Sequence, residues 1–182
     1  TSTVIYTWAA PSDNSGISTY RVNLTNTAGY TAFFWTASPV LTFTGALTEG
    51  AGYVARVQAV DGVGNVGPWS GPSTVITPDL RPPDISNPQI AVGTGVTYFY
   101  VSGLTLFYTN TMPSADSFTV KGSASDNGPS GLDKATFSPA FGQTPADDTT
   151  PTAFSGSYDV SPGATESGRI TVTVYDKAGN AA

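Results

Sequence analysis

The sequence predicts an all-β chain of two β-sandwiches in tandem, and three observations predict it. Short runs alternate apolar and polar residues, clusters of Gly, Asn, Asp and Pro punctuate them at regular spacing, and a two-part loop motif occurs once in each half. The 182 residues divide into halves near the ~100 residues typical of a sandwich.

Composition narrows the chemistry. Charged residues are 11%, apolar residues 39% and aromatic residues 12% of the chain, so there is enough β-branched and aromatic area to form a core. The net charge of −6 with seven Lys plus Arg leaves no basic patch for phosphates, which argues against nucleic-acid binding. Cys and His are both absent. That removes disulfides, thiolate nucleophiles, the commonest general base and the commonest transition-metal ligands. The chain is therefore expected not to be an enzyme and to require no cofactor. No apolar run is long enough to span a bilayer. A Cys-free domain of secreted type suggests a bacterial surface protein. Thr1 stands where an initiator Met would, so the chain is expected to be the interior of a longer polypeptide.

The elements of the first half follow in order. Val4, Tyr6 and Trp8 share one strand face, ended by the turn residues Pro11 to Gly16. Tyr20, Val22 and Leu24 share the next, a turn follows at Gly29, and Phe33, Phe34 and Trp35 form an aromatic strand. Leu47 precedes the Glu49 to Gly52 turn, and Tyr53, Ala55, Val57 and Ala59 alternate before the Asp61 to Asn65 turn. A last strand is predicted over Ser73 to Thr77.

Together, Trp8 before Ala-Ala-Pro, Ile17 to Val22, Leu47 with Tyr53, and Val57 to Asp61 resemble the fibronectin type III pattern over residues 1–77. The resemblance implies that Trp8 fills the core, that Tyr53 forms a tyrosine corner and that Leu47 packs beneath it. It also implies that the first strand of this module is missing, since Thr3 to Trp8 correspond to the second.

Residues 78–84, rich in Pro, read as a semi-rigid connector that sets one module against the next. The second half, 85–182, opens with a hairpin of Val96 to Tyr100 and Leu104 to Tyr108 around Ser102 and Gly103. Strands are then predicted over Phe118 to Val120, Ala135 to Phe137, Phe154 to Val160 and Ile170 to Val174. The closing run from Tyr175 to Asn180 resembles the last turn of bacterial immunoglobulin-like repeats in large surface proteins, with the final strand expected to be missing. The predicted class is thus two tandem immunoglobulin-like or fibronectin type III sandwiches.

Spacing alone pairs the halves. Ser12, Asp13, Asn14 and Gly16 match Ser125, Asp126, Asn127 and Gly131, while Asp61, Gly64 and Asn65 match Asp176, Gly179 and Asn180. In the second half, Asp126, Asn127 and Asp176 occupy two loops at the end that receives the connector with Asp79 and Asp84. Asp84, Asp126, Asn127 and Asp176 are therefore candidate calcium ligands, because that ion takes six to eight oxygens from flexible loops. The other reading is that Asp, Asn and Gly are there to make turns.

Phe33, Trp35, Tyr98 and Tyr100 are candidate interaction residues, because alternation must place some rings of each aromatic run outward. Such rings stack on sugars or pack against neighbouring modules. The sequon Asn23-Leu24-Thr25 carries little weight in a bacterial chain.

These readings converge on a non-catalytic structural or adhesive module of a large extracellular or cell-surface protein, a stalk or filament subunit. Its expected partners are neighbouring modules or subunits of the same protein, with unpaired strand edges available to a neighbour's strand. The alternative is an accessory spacer or carbohydrate-binding region, with glycans as partners, in a secreted polysaccharide-degrading enzyme.

Overall fold

The computed structural model describes residues 3–182, and no helix occurs among them. The chain divides into two compact units, Thr1–Asp79 and Leu80–Ala182.

In the first unit, β1 (Val4–Thr7) pairs with β4 (Val40–Phe43), and β2 (Ile17–Asn26) lies between β3 (Thr31–Thr36) and β5 (Tyr53–Asp61). All pairings are antiparallel. Period-two alternation decides the inner faces: Val4 and Tyr6 are buried while Ile5 between them is 58% exposed. Val22, Leu24, Tyr53 and Ala55 of the larger sheet close on Leu41 and Phe43 of the smaller one. The β2–β3 turn is held by Asn26, whose side-chain oxygen accepts the amides of Ala28 and Tyr30.

Trp8 does not fill the centre of this core. It follows the end of β1, is half-buried, and meets Tyr20 edge-to-face at 5.3 Å. The centre goes to Phe43, at the end of β4, and Tyr53, at the start of β5, which are buried and 6.3 Å apart on facing sheets. The expected strand over Ser73 to Thr77 is also not regular. Pro68 and Pro72 lack amide donors, so this segment follows β5 through separated contacts, with Ile76 and Tyr53 exchanging both backbone hydrogen bonds.

In the second unit, β9 (Asp116–Ser125) lies between β11 (Ala153–Val160) and β6 (Asp84–Val92), and β10 (Leu132–Phe137) pairs with β12 (Val172–Asp176). Asp84 belongs to the sheet rather than to the connector. The edge strand β6 bulges between Ser86 and Gln89, where Pro88 cannot donate and Asn87 takes a φ of 51°. β12 starts two residues later than predicted, with Ile170 packed against the core just before it.

Inside, Phe118 stacks on Tyr158 at 5.3 Å, and Phe137 meets Phe154 at 6.3 Å. Two glycines make room for these rings. A Cβ on Gly122 would lie 2.5 Å from the Phe154 ring, and one on Gly156 would lie 2.6 Å from the Phe137 ring. The predicted hairpin is present as β7 (Phe99–Ser102) and β8 (Thr105–Tyr108). Gly103 supplies the positive φ of its turn, and buried Phe99 anchors it edge-to-face on Phe118.

Candidate functional site

The paired loop motifs form the same device in each unit. In the first, the Gly62 amide donates to the Gly16 carbonyl at 2.9 Å; in the second, the Lys177 amide donates to the Gly131 carbonyl at 3.0 Å. The amide and side-chain nitrogen of Asn65 bond the two carboxylate oxygens of Asp61 at 2.8 and 2.7 Å. Asn180 does the same to Asp176 at the same two distances. Gly64 and Gly179 both take the left-handed backbone that closes the turn, with φ of 94° and 89°. Each Asp is buried and its charge is solvated by the turn it starts. At Asp61, burial pushes the carboxyl up, but the hydrogen bonds from Asn65 and the Val63 amide outweigh it and hold the group below its ordinary value.

The calcium candidates are only partly gathered. Asp126 and Asp176 place carboxylate oxygens within 4.8 Å of one another. Asp126 uses one oxygen to accept the Gly128 amide at 2.7 Å, while its other oxygen is buried with no hydrogen-bond partner. Asp84 and Asn127 bond each other at 2.8 Å on the exposed surface. Oxygen donors of this kind suit a hard cation, and of the four candidates it is Asp126 that offers a buried carboxylate oxygen without a hydrogen-bond partner.

The outer face of the β3–β2–β5 sheet carries a second feature. Register sets Arg21 between Trp35 and Gln58, and Asn23 between Phe33 and Arg56. The buried side chains of β2 are Tyr20, Val22 and Leu24, so Arg21, Asn23 and Thr25 face outward. The Arg21 guanidinium lies 4.2 Å from the centre of the Phe33 ring, 5.6 Å from Trp69 and 5.9 Å from Trp35. Phe33 is 50% and Trp35 62% exposed. A concavity of about 310 Å³ is lined by Asn23, Thr25, Phe33, Arg56 and Trp69. Sequence reasoning found Phe33 and Trp35 but missed Arg21, Arg56 and Trp69, because only the strand register and the path of the segment after β5 bring them together.

Tyr98 and Tyr100 stand at the hairpin of the second unit. Tyr100 is 66% exposed and packs on its cross-strand partner Phe107 at 6.0 Å. A separate concavity of about 1260 Å³ lies beside β8, where core side chains such as Leu106, Phe141 and Ile170 line it together with polar residues such as Gln89, Lys121 and Glu166.

The tyrosine corner expected in the first unit is present: the Tyr53 hydroxyl accepts the Thr48 amide at 2.9 Å, and Leu47 packs against the same core. Among curated proteins, none matches the chain. No helix among the described residues is long and apolar enough to cross a membrane. Residues 1–76 match the family model of the fibronectin type III domain, so the first unit is similar to a module that is typically non-catalytic and recurs in multidomain proteins.

Proposed function

We propose that the chain is a non-catalytic stalk or filament segment of an extracellular or cell-surface protein, assembled from tandem sandwiches. The observation that carries this reading is the loop device whose Asp–Asn bonds and loop-to-loop backbone bond recur in both units, beside the fibronectin type III match of residues 1–76. Repeated β units, each with its own core, are the way chains build arrays. On this reading the second unit is a bacterial immunoglobulin-like repeat, and the work of the segment is mechanical: sheet hydrogen bonds and buried rings resist extension. Intact mass and negative-stain imaging of the native material test it. Filaments or a mass far above 18.7 kDa support a surface stalk, while monodisperse particles of that mass overturn it.

Calcium belongs to the same proposal. The unengaged oxygen of Asp126 beside the Asp176 carboxylate supports it, since two carboxylates this close repel unless a cation joins them. Extracellular calcium modules bind with dissociation constants of about 0.1–1 mM. A rise in the melting temperature of the second unit with millimolar calcium, reversed by chelator, is the expected result. An unchanged melt removes the ion from the reading.

A second reading, an accessory or carbohydrate-binding region of a polysaccharide-degrading enzyme, is favoured by the exposed rings beside the 310 Å³ concavity. Its test is retention on polysaccharide that is lost in Trp35→Ala.

A further inference from the structure

The first unit contains two cationic side chains, Arg21 and Arg56, and four carboxylates, Asp13, Glu49, Asp61 and Asp79. Both arginines lie on the outer face of the β3–β2–β5 sheet, two residues apart in register. Among the described residues, neither arginine forms an ion pair of the kind that joins Lys134 to Asp147 at 2.7 Å. In a chain of net charge −6, two cations placed together without anions are a local reversal of sign.

We infer that this face binds an acidic polysaccharide, one whose sugar rings carry carboxylates. The inference rests on the second reading above and names its ligand class. The Phe33 and Trp69 rings, 4.2 and 5.6 Å from the Arg21 guanidinium, hold it at this face by cation–π attraction, and a planar fork of donors matches a carboxylate in bidentate fashion. Exposed Arg56 offers a second guanidinium across the concavity. Phe33 and Trp69 present ring area for the C–H face of a sugar, and Asn23 and Thr25 present an amide and a hydroxyl to its hydroxyl groups.

A peptide fits this surface less well. β2 is hydrogen-bonded on both edges by β3 and β5, so an extended peptide lying on the face finds no free backbone to pair with. The volume, about 310 Å³, sits at the small end of ligand sites, which span about 300–1,000 Å³.

The test is affinity electrophoresis of the whole 182-residue chain through gels containing one polymer each: polygalacturonate, its fully methyl-esterified form, a neutral soluble β-glucan, and poly-L-glutamate. Retardation by polygalacturonate is expected, with affinity falling at least about tenfold in Arg56→Gln and in Trp69→Ala. Arg56 is exposed, so its variant should melt as the parent does and report on binding alone. Equal retardation by poly-L-glutamate overturns the inference in favour of charge attraction or an acidic peptide. Retardation by the β-glucan or the ester but not by polygalacturonate overturns it while leaving the carbohydrate reading standing. No retardation by any polymer, or retardation unchanged in both variants, overturns it as well.

Discussion

Ser70 and Val57 exchange two hydrogen bonds, but only one is backbone to backbone. The Ser70 amide donates to the Val57 carbonyl at 2.8 Å, and the Ser70 hydroxyl accepts the Val57 amide at 3.0 Å. Ser73 repeats the arrangement on Ala55, donating at 2.9 Å and accepting at 3.0 Å. Two serine side chains thereby do for β5 what the carbonyls of a regular strand would do, in a segment where Pro68 and Pro72 prevent a continuous ladder.

Replacing either serine by Ala should therefore loosen this edge. Each substitution is expected to lower the stability of the first unit by about 1 kcal/mol, the usual worth of one hydrogen bond, read as a shift in its urea midpoint. The double variant should lose close to the sum, because the two serines act on separate residues of β5.

The tyrosine corner predicts a larger effect from a smaller change. Tyr53 is 1% exposed, and Tyr53→Phe removes its hydroxyl while leaving the ring, so the Thr48 amide loses its acceptor. A loss of about 1–3 kcal/mol in the first unit is expected, with no effect on the melting of the second.

In the second unit, Gly156→Ala brings a methyl to 2.6 Å from the Phe137 ring, which is buried and packed edge-on against Phe154. Overpacking of this kind costs about 1–3 kcal/mol. Gly168→Ala meets nothing within 4 Å and should leave the melting temperature unchanged. Calorimetry on the two variants compares them directly.

Asp61 makes acid stability readable. Its folded carboxyl titrates below the ordinary 3.8, so the stabilisation is fully present above that value and is lost as pH falls through the folded value. Unfolding of the first unit should become easier below about pH 4. In Asp61→Asn the neutral side chain should flatten this dependence, as measured by urea midpoints across pH 2–6.

The strand pattern was legible wherever a single face is buried. Val4 and Tyr6 in β1, Tyr20 to Leu24 in β2 and Phe154 to Val160 in β11 alternate in sequence and in burial alike. The hairpin from Phe99 to Tyr108 was readable for the same reason, helped by Gly103. The irregularity of the segment over Ser73 to Thr77 was not, because serine hydroxyls at Ser70 and Ser73 take the place of backbone acceptors for β5 amides about 13–18 residues away. The resemblance put Trp8 in the middle of the core, whereas it packs on the core's margin from just beyond the end of β1.

The sequence by itself determined the all-β class, the two halves, the paired loop motifs and the aromatic runs, since each depends on local φ preference or on the two-residue period of a strand. Tertiary structure alone decided which groups meet. It set both Asp61 and Asp176 as caps of their own turns, left one oxygen of Asp126 buried and unengaged, and laid Arg21 against Phe33 and Trp69. Those meetings are fixed by strand register and by packing between residues distant in sequence, which no local pattern encodes.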